Sequence, residues 1–237
     1  MQLFYSEQLT AETKTYTFPR EESKHIIKVL RKSQEDKIYI TNGKGYLFKT
    51  QIIDENPNKC KVAIQEQEYH EPRPYELHIA IAPTKLNDRF EWFLEKATEI
   101  GVSQITPLLC YHSERKTIKW ERYNRILQSA LKQSLQYHLP VLHPLTSFND
   151  FLENTPNTDS HNFIAHCGEG KKIALNKTSL SSSNITILIG PEGDFSIEEI
   201  KQASAKQFKA ISLGATRLRT ETAGLLACSM VAFHKDE

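Results

Sequence analysis

Two segments near the carboxyl end constrain this chain most, because each runs from an apolar strand through a glycine turn into a helix. In the first, the β-branched run at residues 185–189 is followed at once by Gly190-Pro-Glu-Gly193. In the second, Leu213 and Gly214 lead through a polar stretch into an apolar helical one. Open α/β sheets bind ligands where strands end in such turns. The pattern predicts that both turns belong to one ligand site.

Capping signals support a helix after each turn. Ser196 and Glu199 stand three residues apart, which is the spacing of a capping box. Thr220 is the predicted N-cap of the last helix, whose apolar residues recur on one face. Those residues are Ala223, Leu226, Ala227, Met230 and Val231.

These residues resemble a known family. Gly-Pro-Glu-Gly after an apolar strand, then Ser-Leu-Gly and Leu-Arg-Thr-Glu-Thr-Ala, is similar to the RsmE family of SPOUT (α/β-knot) RNA methyltransferases. Residues 25–31 with 42–45, and residues 95–102 leading to Pro107, carry the same resemblance. It implies methyl transfer from S-adenosylmethionine to N3 of a uridine in 16S ribosomal RNA, near the decoding site (uridine 1498 in the standard 16S numbering).

The pattern along the chain predicts two domains. Residues 1–70 contain alternating strands around a hairpin signal at residues 42–45, and two prolines at residues 72 and 74 interrupt that pattern. From residue 74 to 237 strands alternate with helices, which is typical of an α/β domain. The resemblance implies that residues 1–70 form a PUA-like RNA-binding β-barrel. It also implies that residues 74–237 form a SPOUT α/β trefoil-knot methyltransferase domain.

Composition limits the class of protein. The 237 residues are 39% hydrophobic and 25% charged, which is ordinary for a globular protein with a core. No apolar run approaches the ~20 residues that a membrane span needs. Four scattered cysteines favour reduced thiols, and no P-loop, dinucleotide fingerprint or metal-ligand spacing is present. We therefore expect a cytoplasmic protein without metal or membrane association.

RNA binding has to be local, because the net charge is only +1. Residues 20–32 and 111–125 each hold five lysines or arginines against two glutamates. By resemblance, Gln133 and Ser134 match a polar family motif, but the arginine that usually follows it is absent from residues 135–138, which puts one substrate contact in doubt. The predicted RNA-binding residues are Lys28, Arg31, Lys32, Arg115, Arg122, Arg125, Gln133, Ser134 and Arg217.

The cofactor is expected between the two turns. We expect Gly190, Gly193 and Gly214 to let the backbone approach a ligand and to adopt positive φ. Glu192 has two open roles. It can bind the cofactor, by accepting from a ribose hydroxyl or by lying near the sulfonium, or it can cap its turn. The predicted cofactor-binding residues are His166, Gly168, Ile189, Gly190, Glu192, Gly193, Leu213, Gly214 and Leu218.

Catalysis needs a cation near the reacting base. The proton of uridine N3 must leave, and a cation beside the ring oxygens would stabilise the anion that develops. We assign that role to Arg219, and expect Thr220 and Glu221 to orient the base or relay its proton. The alternative for Arg219 is a salt bridge to Glu221 or Glu192.

Partners and rival functions follow from the same resemblance. It implies a homodimer acting on the small ribosomal subunit. The apolar character of the helix at residues 223–233 makes this helix the predicted dimer surface. Two other functions remain open. One is a SPOUT methyltransferase for a different nucleotide, and the other is a non-catalytic RNA-binding assembly factor with a vestigial pocket.

Overall fold

The computed structural model of the chain describes residues 2–155 and 160–235, which divide into two compact units. One unit comprises Met1–Pro72 with Leu131–Leu139, and the other comprises Arg73–Ala130 with Pro140–Glu237. The segment Leu131–Leu139 therefore belongs to the first unit, although it continues directly from Ala130 of the second. We retain residues 1–70 and 74–237 as the proposed domain limits.

The first unit is built on a five-stranded sheet. Its strands are β1 (Leu3–Tyr5), β2 (Thr15–Thr17), β3 (Lys37–Thr41), β4 (Tyr46–Asp54) and β5 (Lys61–Tyr69). The order is β1-β3-β4-β5-β2, so among the described strands the sheet is an open half-barrel with β1 and β2 at its edges. The predicted hairpin is confirmed, because β3 and β4 are antiparallel with Ile40 opposite Phe48.

One short helical segment covers this sheet. It begins as α1 (Arg20–Lys24) and continues as a wider π-helical turn over His25–Val29. Ile26 is fully buried in the cluster that contains Phe4 and Phe48. Burial of Ile26, together with that of Ser23, holds the segment against the sheet, and Lys28 is exposed.

The second unit holds an eight-stranded sheet. Its strands are β6 (Glu76–Ile81), β7 (Gln104–Leu109), β8 (Val141–Leu142), β9 (Thr146–Ser147), β10 (Ser160–Ala165), β11 (Ile173–Ala174), β12 (Asn184–Ile189) and β13 (Lys209–Ser212). The order is β11-β13-β10-β12-β6-β7-β8, with β9 also on β7, and every pairing is parallel. Strands covered on both faces read as continuous apolar runs, which explains the composition of β12.

Helices flank that sheet. They are α2 (Asn87–Ile100), α3 (Trp120–Gln133), α4 (Phe148–Asn154), α5 (Ile197–Ala205) and α6 (Thr220–Lys235). The capping box predicted for Ser196 and Glu199 is confirmed at the start of α5. The N-cap prediction for Thr220 is wrong, because Thr220 is the first helical residue and Arg219 accepts the first backbone bond, from Ala223, at 2.8 Å.

The last helix packs closely on the sheet and on α2. A Cβ on Gly224 would lie 2.7 Å from the Phe93 ring and 2.8 Å from the Ile81 side chain, so only glycine permits this approach. Within the described ranges, no helix has the length and apolar character to cross a membrane. The same residues contain no group of three or more His, Cys, Asp or Glu side chains that could hold a metal ion.

Candidate active site

The candidate site lies at the carboxyl edge of the second sheet. Ile189 at the end of β12 is in register with Ala165 on β10 and with Ile81 on β6. Ala165 is in turn in register with Ile211 on β13. The loops that follow these four strands therefore leave the sheet at the same edge, which is where α/β sheets bind ligands.

A cavity of about 620 Å³ opens between three of these loops. Its volume is in the range of small-molecule sites. The walls include His166, Cys167 and Lys172 after β10, Ile189, Gly190, Glu192 and Asp194 after β12, and Leu213, Gly214, Arg217, Leu218, Arg219 and Thr220 after β13. The two glycine turns thus face one cavity, as the strand–turn–helix pattern predicted.

Direct bonds join the two turns. The Thr220 hydroxyl is buried and donates to the Gly190 carbonyl at 3.1 Å. Arg217 Nη2 donates to the Glu192 carbonyl at 3.4 Å. The Thr220 hydroxyl, which was predicted to cap α6, therefore connects α6 to the turn after β12 instead.

The expectation of positive φ holds for one of the three glycines at the two turns. Of Gly190, Gly193 and Gly214, Gly214 alone has a positive φ, at +141°, and the space where its Cβ would lie is open. The expectation of positive φ is wrong for Gly190 and Gly193. A Cβ on Gly190 would lie 3.1 Å from the Phe195 ring, and one on Gly193 would lie 3.0 Å from the His112 Cβ. These two glycines make room for neighbouring side chains.

Asp194 is the residue that sequence reasoning missed. Its φ of +65° makes the turn that glycine was expected to make. One carboxylate oxygen accepts from the Cys167 backbone N–H at 2.7 Å and the other accepts from the Phe195 N–H at 2.8 Å. Asp194 therefore connects the loop after β10 to the loop after β12. An aspartate that follows glycine in a turn was the available signal.

Glu192 holds a third loop in place. Its carboxylate accepts from the Lys85 backbone N–H at 2.9 Å, which fixes the segment after β6. Arg115 supports the same segment, since its Nε donates to the Thr84 carbonyl at 2.9 Å and its Nη2 to the Lys85 carbonyl at 2.7 Å. This bond joins two loops and is not a cap of the turn that carries Glu192, and the other carboxylate oxygen is left for a ligand.

Two family models match the chain. The RNA methyltransferase domain matches residues 71–232, and the RNA methyltransferase PUA domain matches residues 18–65. Ribosomal RNA small subunit methyltransferase E of Rickettsia conorii is 32% identical over 213 residues, which are 87% of this chain and 85% of that protein. The chain belongs to the family of ribosomal RNA small subunit methyltransferase E.

Solved structures agree with the family. A probable rRNA-methyltransferase from Porphyromonas gingivalis has a TM-score of 0.92 and 37% identity, covering 100% of this chain and 99% of that one. The Neisseria gonorrhoeae methyltransferase E bound to S-adenosyl methionine has a TM-score of 0.88 and 25% identity, covering 98% and 97%. The predicted fold class, a PUA-like unit with a SPOUT α/β-knot methyltransferase domain, is confirmed.

Two of the three predicted catalytic residues lie on the wall of the cavity, and the third does not. Arg219 and Thr220 lie on the cavity wall. Arg219 is exposed and makes no ion pair with any described residue, so neither Glu221 nor Glu192 holds it. Glu221 is outside the cavity lining, with Oε1 3.8 Å from Arg89 Nε and Oε2 buried without a hydrogen-bond partner among the described atoms.

The predicted cofactor residues are nearly all on the wall. Gly168 and Gly193 are not, and the other seven line the cavity. His166 Nδ1 is buried and has no hydrogen-bond partner within the described part of the chain. Burial and the nearby Lys172 ammonium lower the pKa of His166, so the imidazole is neutral near pH 7. A buried nitrogen of this kind calls for a partner such as water or a bound ligand.

Several predicted RNA-binding residues are engaged with the protein itself. Arg122 forms a close two-point pair with Glu91, at 2.6 and 2.7 Å. Lys32 pairs with Asp36 at 3.4 Å. The Arg115 guanidinium donates to two backbone carbonyls, as described above. A cation that is already paired in this way is less available to phosphate.

Four other predicted RNA-binding residues are exposed, and a fifth, Ser134, is hydrogen-bonded to the backbone. Lys28 and Arg31 on the first unit are exposed and have no ion pair within the described ranges. Arg125 is exposed on α3. Gln133 is exposed at the end of α3, and Ser134 belongs to the first unit with its hydroxyl donating to the Leu131 carbonyl at 3.4 Å.

Proposed function

We propose that this chain transfers a methyl group from S-adenosylmethionine to N3 of a uridine in 16S ribosomal RNA. The observation that carries the proposal is the single cavity that both glycine turns share at the carboxyl edge of the sheet. Family membership supports RNA methylation, and the related Neisseria gonorrhoeae structure holds the same methyl donor. The choice of base and atom rests on the resemblance of residues 185–223 to the RsmE motifs.

The cavity has the groups that this cofactor would need. S-adenosylmethionine, when bound, supplies an electrophilic methyl group on a cationic sulfur. Ile189, Leu213 and Leu218 offer apolar walls for adenine, and the open space at Gly214 admits a ligand close to the backbone. The unpaired Nδ1 of His166 offers a hydrogen bond to a polar ligand group.

Arg219 is the proposed electrostatic catalyst. It lies on the cavity wall, is exposed to an incoming base, and has no acidic partner among the described residues that would neutralise it. Its guanidinium can donate to a ring oxygen of the uracil and stabilise the charge that develops as the N3 proton leaves. Most of the remaining acceleration would come from holding the nucleophile and the methyl donor in line.

Thr220 and Glu221 are proposed to position Arg219. The bond from Thr220 to the Gly190 carbonyl fixes the first turn of α6 against the cavity. Glu221, which faces Arg89 on α2, fixes the same turn from its other side. The proton relay considered for Glu221 is therefore replaced by a positioning role, and proton loss is proposed to go to solvent at the exposed mouth.

RNA retention and assembly complete the proposal. Lys28 and Arg31 are the proposed phosphate contacts of the first unit, and Arg217 is the proposed contact beside the cavity, because exposed cations bind phosphate without base specificity. A homodimer through α6 is proposed, since Phe233 of this helix is 76% exposed. The expected location is the cytoplasm.

A different target nucleotide is the second candidate. The family arginine after Gln133 and Ser134 is missing, and His138 is not free to replace it because its Nε2 is bonded to the His70 carbonyl at 2.8 Å. A changed contact at this motif favours a change of RNA site.

Nucleoside mass spectrometry tests the proposal. Small ribosomal subunits lacking the modification are incubated with the chain and S-adenosylmethionine, and the product is expected to be N3-methyluridine at one site. A ribose 2′-O product or another methylated base would support the second candidate. Absence of both methylation and cofactor binding in calorimetry would instead favour a non-catalytic assembly factor.

A further inference from the structure

An exposed aromatic pair stands beside the cavity. Tyr111 follows β7 and its side chain is 80% exposed. Its ring centroid lies 4.9 Å from that of His112, with the two ring planes at 80°. Neither side chain has a role in the cofactor site described above.

The backbone beneath this pair is held firmly. The Tyr111 N–H donates to the buried Glu199 carboxylate at 2.8 Å, and the His112 Nδ1 donates to the Asp194 carbonyl at 3.0 Å. Ser113 accepts from the Cys110 N–H at 3.0 Å through its hydroxyl. An exposed ring on a fixed backbone loses little conformational entropy when a planar ligand stacks on it.

The pair adjoins the proposed reaction site. His112 Cβ lies 3.0 Å from the position that a Cβ of Gly193 would take. Gly193 stands between Glu192 and Asp194, and both of these line the cavity. A nucleotide bound on Tyr111 would therefore lie next to a base that enters the cavity.

The loop that carries Tyr111 also holds exposed cations, which suit a polyanion. Lys116 and Lys119 are exposed, and no ion pair within the described ranges engages them. The acidic residue of this loop, Glu114, is paired with Lys85 Nζ at 2.7 Å. A protein-binding surface would instead be depleted of lysine near its centre.

We propose that Tyr111, with His112 at its edge, is a stacking platform for an unpaired nucleobase of the RNA substrate, adjacent to the base that is methylated. This inference rests on the proposed function and names an RNA contact for it. Proteins recognise single-stranded RNA by stacking bases on aromatic side chains, with nearby cations on the backbone. Stacking on the ring face of the base increases the affinity for RNA. The reacting base itself is selected in the cavity.

Fluorescence of a labelled RNA tests the platform. A small-subunit RNA hairpin is made with 2-aminopurine on either side of the target uridine, and the intact chain is titrated into it. Stacking is expected to quench the label in the wild-type complex. Tyr111→Ala should remove the quench and weaken RNA binding by about five- to a hundredfold, which is the range for one lost base–aromatic stack. Tyr111→Phe keeps the ring and should keep the quench.

The control is Ile197→Ala, because Ile197 is 75% exposed on the same unit and lies outside the cavity lining. It should leave the quench, the RNA affinity and the affinity for S-adenosylmethionine unchanged. Calorimetry with the cofactor should also give the same affinity for Tyr111→Ala as for the wild type.

Several results would overturn the platform. An unchanged quench and unchanged RNA affinity in Tyr111→Ala would do so, as would a change of sedimentation mass without a change in RNA binding, which would identify a contact between two copies of the chain. Failure of methyl transfer by the wild type would refute the proposed function separately, because the quench is measured without turnover.

Discussion

The two turns around the cavity differ in how firmly they are held. The turn at residues 190–195 is fixed by bonds from Thr220, Lys85 and Cys167, which belong to three other segments. The loop at residues 213–219 has a few contacts, chiefly between Ser212 and Gly214 and from Arg217 to Glu192 at 3.4 Å. Gly214, Arg217 and Arg219 are all exposed.

This contrast predicts different roles for the two turns. A firmly held turn can keep a cofactor in one orientation before RNA arrives, since its conformation does not depend on the ligand. A loosely held loop can adjust its arginines to a large and variable substrate. We therefore expect the firm turn to contribute most of the cofactor affinity. The arginines of the loose loop should determine the rate of transfer and the affinity for RNA.

The largest effect is expected at the loose loop. Arg219→Ala should lower the single-turnover methylation rate by about 10²- to 10³-fold, the cost of removing one donor to a developing anion, while cofactor affinity stays the same. Arg217→Ala is the matched variant, because this arginine lies two residues away and should mainly weaken RNA retention. Equal losses of methylation rate in both variants, or no loss in Arg219→Ala, would contradict the different roles assigned to Arg219 and Arg217.

Acid should lower the free energy of unfolding of the sheet that carries both turns, because it protonates a buried histidine in that sheet. His78 on β6 is hydrogen-bonded to Thr106 Oγ1 at 2.7 Å, and burial, with His143 nearby, lowers its pKa from 6.5 to about 4. Between these pH values the unfolded chain binds a proton that the folded chain does not, so the free energy of unfolding falls as the pH falls. The loss should total on the order of 3 kcal/mol by pH 4.

Urea unfolding measured from pH 7.5 to pH 4 checks this prediction. His78→Gln removes the titrating group, and its stability should depend less on pH than that of the wild type. If that variant does not fold, the imidazole of the wild type can be titrated by NMR instead. A His78 resonance that titrates near 6.5 would show that the proposed origin of the acid sensitivity is incorrect.

Substitutions at Asp194 test the firm turn. Asp194→Ala removes acceptors for two backbone N–H groups and should cost about 1–3 kcal/mol of stability, with a loss of cofactor affinity. Asp194→Gly keeps the positive φ but not the carboxylate, and Asp194→Asn keeps both the backbone tolerance and an acceptor oxygen. Calorimetry should rank cofactor affinity as wild type, then Asn, then Gly and Ala. An affinity equal in all four proteins would show that the bridge to Cys167 does not shape the cavity.

The last prediction compares one glycine from each turn, Gly190 and Gly214. Gly190→Ala places a Cβ 3.1 Å from the Phe195 ring in a packed region and should lower stability by about 1–3 kcal/mol. Gly214→Ala meets open space but a φ of +141°, so the exposed loop should relax and the melting temperature should change little. Cofactor affinity should still fall in Gly214→Ala. Comparable losses of melting temperature would mean that the two turns are equally firm.

Local patterns were sufficient for the elements that frame the site. Strand β12 and the capping box of α5 are encoded by consecutive residues, as is the end of α2 at Gly101, which has a φ of +99°. Parallel strands with glycine turns then predicted that the turns at Gly190 and Gly214 would meet. The family resemblance, rather than any periodicity, supplied the knotted fold class and the cofactor.

Long-range contacts explain what the sequence did not predict. The bond from Lys85 to Glu192 joins residues 107 positions apart, and no local pattern reports it. Gly193 looked like a ligand contact because the residue that fills its space, His112, lies far away in the chain. The orientation of Glu221 toward Arg89 depends in the same way on how α6 packs against α2, which only the folded chain reveals.

A crystal structure of the chain with S-adenosylmethionine tests the central claim most directly. One cofactor molecule is expected to occupy the cavity and to contact both the turn at Gly190 and the turn at Gly214. A cofactor bound elsewhere, or touching only one of the two turns, would contradict it.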